Sequence, residues 1–223
     1  TVTGESEKGT SIKIPVRDAE DVGKKPYYTF IKEEDLRSNK NNSIGNNKYN
    51  GLELSLDFDI DTDAWIEVIL DRESGHSMKG NGYGSMRMEI NTLGKFLMYG
   101  DFQVQEGEYN FKKAGLIDKK FVVKKGSTIR WEGDPLGAIL NLEAIYKTQA
   151  NPSVLIESSS FNTNRKLPTE VSIVINGSLS NPEPDFNINF PTVSSVFKSE
   201  IDYRLQNKDV RQNQAFALLA FGS

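Results

Sequence analysis

Cysteine is absent from the 223 residues, and histidine occurs once, at His76. Without thiolates there is no disulfide framework, no cysteine nucleophile and no thiolate zinc site. His76 lies between Gly75 and Ser77, in what reads as a surface loop without a partner, so general-base chemistry lacks its usual carrier. No apolar run approaches the roughly 18 residues that a membrane-crossing helix needs, and no charged-then-apolar leader opens the chain. The net charge is −4 and the 27 lysines and arginines are scattered. The basic patch that nucleic acid demands is missing, and nucleic acid is excluded as a partner. The chain begins at Thr1 and is read as a piece of a longer protein, any anchor lying outside it.

The remaining chemical candidates fail on their spacing. Asp57, Asp59, Asp61 and Asp63 open like a calcium loop, but Thr62 or Ala64 stands where the turn needs glycine. Val68 or Leu70 stands where the closing glutamate belongs, so these acids read as the wet face of a strand and no metal is expected. Gly80-Asn81-Gly82-Tyr83-Gly84 is followed by a strand, not a helix, and reads as a flexible turn, not a dinucleotide fingerprint. No catalytic residue and no cofactor is assigned, and the chain is not expected to be an enzyme.

What the chain does have is strict two-residue alternation, which gives a strand one dry and one wet face. Leu52, Leu54, Leu56, Phe58 and Ile60 alternate with Glu53, Ser55, Asp57 and Asp59. The pattern returns in Met86, Met88 and Ile90, in Phe96, Met98, Phe102 and Val104, and in Leu140, Leu142, Ala144 and Tyr146. It appears again in Val171, Ile173 and Ile175, then in Phe186, Ile188 and Phe190. One long, largely antiparallel sheet with one apolar face follows, since no crossover helix separates the strands. Between Trp65 and Leu70 both faces are partly apolar, so the inward side of that strand stays open.

Short strands are expected at residues 11–16 and 27–31, a mobile Asn- and Lys-rich loop at 37–50, and a turn region holding four glycines at 71–84. Further loops are expected at 147–152 and 158–168, and a strand at 170–179 ending at Asn181-Pro182-Glu183-Pro184. After Pro191 the spacing of Ile201, Leu205, Ala215, Leu218 and Leu219 turns helical, and Gly222 stands where a helix stops. The organisation is therefore a β-rich part, 1–193, clearest over 52–190, and a helical segment, 194–223.

Five phrases occur in a fixed order: Gly100-Asp101-Phe102; Gly107-Glu108-Tyr109-Asn110-Phe111; Gly126 with Ile129-Arg130-Trp131; Gly133-Asp134-Pro135; and Leu140 to Tyr146. In these residues the chain resembles the TamB C-terminal domain, the translocation and assembly module of the AsmA-like family. The segment Gln214 to Gly222 resembles the family's terminal helix, and the likeness spans roughly residues 52–222. The Asn- and Lys-rich loops suggest a Bacteroidota-type member.

The resemblance implies an all-β, elongated, half-open taco or half-pipe with an apolar concave face and short C-terminal helices. It also implies a periplasmic protein of a Gram-negative bacterium that bridges the inner and outer membranes. Membrane contact would come through the full-length protein, and phospholipid would be the cargo. The partner would be an outer-membrane barrel of the BamA or TamA type. The groove lining is then expected to be Leu54, Leu56, Phe58, Ile66, Val68, Met86, Met88, Ile90, Phe96, Met98, Phe102, Val104, Leu140 and Leu142. Gly107, Tyr109, Phe111, Trp131, Gly133, Asp134 and Pro135 form the structural motif, with Gly107, Tyr109, Gly133 and Pro135 at turns or bulges. Phe216, Leu219 and Phe221 would dock a partner.

A dry groove would hold acyl chains without specific contacts, at about 0.8 kcal/mol per buried methylene. On that reading Met98→Arg should keep the fold and block passage by placing a charge in a dry path. Two other readings stand beside the conduit. One is an outer-membrane protein assembly or docking module without lipid transfer. The other is a closed β-sandwich for adhesion or carbohydrate binding, disfavoured because Trp65 and Trp131 sit inside strands and not on loops.

Overall fold

The alternating segments form strands, and their apolar faces all turn the same way. The computed structural model describes Val2–Glu5, Ser11–Pro15 and residues 52–71, 76–113, 115–155 and 165–222. The strand expected at 27–31, the loop at 37–50 and most of the loop at 158–168 lie outside the described residues.

Eleven strands among the described residues make one sheet: β1 (Val2–Glu5), β2 (Ser11–Pro15), β3 (Glu53–Ile60), β4 (Trp65–Asp71), β5 (His76–Asn91), β6 (Phe96–Lys113), β7 (Ile117–Val123), β8 (Thr128–Gly133), β9 (Ile139–Ala150), β10 (Leu167–Ser178) and β11 (Glu183–Asn189). Their order is β1-β3-β5-β6-β7-β9-β10-β11. The long strand β5 also pairs β4 along its first half, and β8 bridges β6 and β9. Pairing is antiparallel throughout except for β1 with β3 and β2 with β4. The sheet does not close into a barrel and is consistent with a half-open taco.

Strand β5 corrects the sequence reading most. Gly80 to Gly84 is the middle of a sixteen-residue strand, not a flexible turn. The glycines at 80, 82 and 84 occupy inward positions where β6 comes too close for a side chain. A Cβ on Gly82 would meet Gln103 O at 2.0 Å and the Phe102 ring at 3.0 Å. On Gly84 it would meet Asp101 O at 2.3 Å, and on Gly100, facing β5 from β6, Ser85 O at 2.0 Å. Glycine inside a strand often marks a sharp bend or a close backbone approach, and here it marks the crease of the folded sheet.

Beside the crease the β5–β6 register shifts at Asn81/Gly82, leaving Gln105 as the extra residue of a bulge. That insertion switches the inward residues of β6 from Val104 to Gly107, Tyr109 and Phe111. The expected loop at 147–152 is also corrected, because β9 runs on to Ala150 in register with β10. Pro184, read as part of a chain break, lies inside β11, where an outer strand tolerates the missing donor.

The two expected helices are present: α1 (Ser195–Arg204) and α2 (Lys208–Phe221). Asn207 caps α2 by accepting from the Asp209 and Val210 backbone N–H groups, and Gly222 ends it at φ 52°. Their buried residues Phe197, Ile201, Ala215, Leu218 and Leu219 share one core with the sheet. Helix α2 covers β11. Arg211 holds it there, donating from Nε to Phe186 O and bidentately to Asp185 at 2.7 and 2.9 Å.

Placing a methyl group at the crease should be costly because backbone, not a flexible side chain, stands in its way. Gly82→Ala is expected to lower unfolding free energy by about 1–3 kcal/mol in urea titrations, more than a typical exposed strand substitution. An unchanged midpoint would show that β5 and β6 are farther apart than described.

Candidate apolar groove

Register places all fourteen expected groove residues on one face. Leu54 pairs Ile90, which pairs Phe96; Leu56 pairs Met88, which pairs Met98; Phe58 pairs Met86. Ile66 and Val68 pair Gly80 and Met78, which settles the inward side of β4 and leaves Trp65 outward. Phe102 continues through Ile129 to Leu140, while Leu142 faces Ile175 on β10. These cross-strand rows join into one apolar surface.

The surface is not uniformly open. Ile66, Val68, Met86, Met98, Phe102, Val104, Leu140 and Leu142 are buried within the core. The space among Ile66, Met78, Phe102, Val104, Val123 and Ile129 is about 10 Å³, no more than one water and far less than an acyl chain. The two walls of the taco therefore meet, and along this stretch their own side chains fill the groove. Access remains at the β3–β5–β6 end. Leu54 is 37% and Phe96 45% exposed, with Leu56, Phe58, Met88 and Ile90 half-buried beside them.

Met98 is 1% exposed, which overturns the expectation that Met98→Arg leaves the fold intact. A guanidinium there would be buried without a partner, so the variant should unfold.

The opposite end of the groove is closed by aromatic rings. Phe111, Phe121, Phe186 and Phe216 pack with centroid separations of 5.0 to 6.2 Å, and Lys113 Nζ lies 3.8 Å from the Phe216 ring centre. His76, expected in a surface loop, opens β5 and is half-buried, its Nδ1 3.3 Å from Tyr109 Oη and its ring 5.2 Å from that of Phe111. The missed signal is that His76 continues the inward series Met78, Gly80, Gly82.

The structural motif residues separate by role. Gly107, Tyr109 and Phe111 continue β6 just past the bulge, so Gly107 and Tyr109 sit within the strand and not at a turn. Trp131 is buried, and its indole N–H has no hydrogen-bond partner among the described residues. Gly133 ends β8 at φ 127°, Asp134 Oδ1 accepts from Leu136 N at 3.0 Å, and Pro135 starts the short 3-10 turn that leads to β9. Of the residues expected to dock a partner, Leu219 is buried and Phe216 packs into the aromatic end; only Phe221, 78% exposed, faces outward.

The convex face is polar and cross-linked. Arg87 Nε donates to Asp57 Oδ1 at 2.7 Å, and this hydrogen bond, then the charge of Asp57, raises the guanidinium above its ordinary value. Lys95 is raised in the same direction by the hydrogen bonds it donates to Glu89 and then to Glu53. These exposed pairs keep the outer surface wet and are individually weak. Asp59, one of the calcium-like series, accepts from Ser85 Oγ at 2.7 Å. Among the described residues, no group of three or more His, Asp or Glu could hold a metal ion, and no helix is long and apolar enough to cross a membrane.

An open sheet folded over a dry interior, polar outside and partly uncovered at one end, defines a half-open β-taco. The chain belongs to the family described as TamB C-terminal domain, which matches residues 1–223. Comparison with curated proteins returns no match. Membership gives the chain a role in the outer-membrane assembly system of the Gram-negative envelope, in association with the TamA/BamA-type system. The family is a transport and assembly module and not a known enzyme family.

Burial pushes the Tyr109 phenol up from its ordinary value. The neutral form therefore contributes stability in full below about pH 10, and that contribution is lost as pH climbs toward the raised value, because the unfolded chain ionises first. Between about pH 8 and pH 11 the wild type should lose more unfolding free energy than Tyr109→Phe. Equal alkaline losses in the two proteins would contradict a buried phenol.

Proposed function

We propose that the chain is the outer-membrane-proximal end of a phospholipid conduit. In the full-length protein it would bridge the inner and outer membranes, and it would work with a BamA/TamA-type barrel. The observation that carries this reading is the uninterrupted apolar face. Fourteen residues from five strands, β3, β4, β5, β6 and β9, converge on it, and it stays accessible at the β3–β5–β6 end around Leu54, Ile90 and Phe96.

Acyl chains need no directional contact to be held there; each methylene removed from water contributes about 0.8 kcal/mol. Leu54, Leu56, Phe58, Met88, Ile90 and Phe96 would touch the tails. The buried residues deeper in the taco would be reached only if its walls part. The soft side chains Met86, Met88 and Met98 suit a surface that repacks against a changing apolar partner.

A docking module without lipid transfer is the second reading, favoured by Phe221 facing outward at the end of α2. Strand addition at the β11 edge would require α2 to leave, since Arg211 already occupies the Phe186 carbonyl there.

Native mass spectrometry of the protein purified from a bacterial envelope tests the conduit. The wild type should carry phospholipid. Leu54→Arg combined with Phe96→Arg should lose it with little change in melting temperature, because both sites are partly exposed. A folded wild type without lipid, or lipid retained by the double variant, would contradict the conduit, and the first result would favour docking.

A further inference from the structure

The convex face carries a second concavity, of different chemistry from the apolar groove. The bulge at Gln105 dents the outer surface between β4 and β7 and leaves a groove of about 650 Å³, a volume suited to a small ligand. Its lining includes Trp65, Lys79, Gln105, Glu106, Val122 and Lys125. Trp65 is 38% exposed and Val122 is exposed beside it.

Elsewhere on this face acids and bases pair across strands, as in Arg87 with Asp57 and Arg130 with Asp101. In the groove the pairing is incomplete: Lys124 reaches Glu143 at 2.8 Å, but other polar and charged side chains are left over. Lys79 stands opposite Glu108 in register, yet its Nζ lies 5.2 Å from the Trp65 ring centre and Glu108 turns to Lys120 at 3.8 Å. Gln105, Glu106 and Lys125 make no side-chain hydrogen bond or ion pair among the described residues. Asn81, between Trp65 and Glu106 in register, has a buried Oδ1 without a hydrogen-bond partner among the described residues.

We infer that this groove binds a saccharide, of the N-acetylated amino-sugar class, on the face away from the lipid path. Hydroxyl groups both donate and accept, and the groove offers, with no hydrogen bond or ion pair among the described residues, a donor in Lys125, an acceptor in Glu106 and both functions in Gln105, with Lys79 beside the Trp65 ring as a further donor. A phosphate would meet the Glu106 and Glu108 carboxylates, and an acyl chain would strand the charges. A sugar ring has an apolar face to lay on Trp65, and an acetamido group adds a methyl for Val122 and an N–H for Glu106. Nothing in this inference depends on lipid transport, since the two grooves lie on opposite faces of the sheet.

Titration of the isotope-labelled protein with the tetrasaccharide of N-acetylglucosamine, followed by nuclear magnetic resonance, tests the inference. The Trp65 indole and Gln105 amide signals should shift saturably while the buried Trp131 indole stays still. Glu106→Ala and Lys125→Ala, both at exposed positions that leave the fold intact, should each weaken binding about fivefold or more. A Trp65 signal that does not move, an equal response to inorganic phosphate alone, or undiminished affinity in both variants would overturn the inference.

Discussion

The close approach of β5 and β6 is the constraint on which the rest of the structure depends. These are the two longest strands, and every cross-strand row from β3 or β4 to the later strands passes through them. At Gly82, Gly84 and Gly100 the partner backbone stands where a Cβ would be. The crease lets Phe102 lie over Gly82 and brings Ile66 and Met78 near Val123 and Ile129. A flatter sheet would leave those residues facing water, and the apolar face would be a liability for aggregation instead of an interior.

From that crease follow a closed end and an open end. Toward β7, β11 and α2 the walls meet, rings fill the space, and Arg211 fastens the helix over the outer strand. Toward β3 the rows end at Leu54 and Phe96 with nothing above them among the described residues. On the proposed reading, this end, uncovered among the described residues, is where an apolar guest would enter. The polar outer face, with its paired charges, keeps the same sheet soluble from behind.

Much of this was legible in the residues. Strict alternation from Leu54 to Ile60 and from Met86 to Ile90 fixed the inward side, and the helical spacing after Pro191 with Gly222 as its stop located α1 and α2. Glycine was the main source of error. Gly80, Gly82 and Gly84 look like a turn when only local propensity is weighed, but their role is set by β6, far away in sequence. The same remoteness hid His76, whose partners Tyr109 and Phe111 belong to another strand. The depth of burial at Met98 was equally invisible, since alternation tells which face a residue takes and not whether the facing wall closes on it.

The central claim is that the concave face, and not the convex one, meets lipid tails at its open end. Photo-crosslinking in living cells tests it directly, with a photoreactive amino acid placed in turn at Leu54, Phe96, Tyr83 and Val122, all of them exposed. The account predicts phospholipid adducts at Leu54 and Phe96 and none at Tyr83 and Val122. Adducts at all four sites, or at neither concave position, would contradict it.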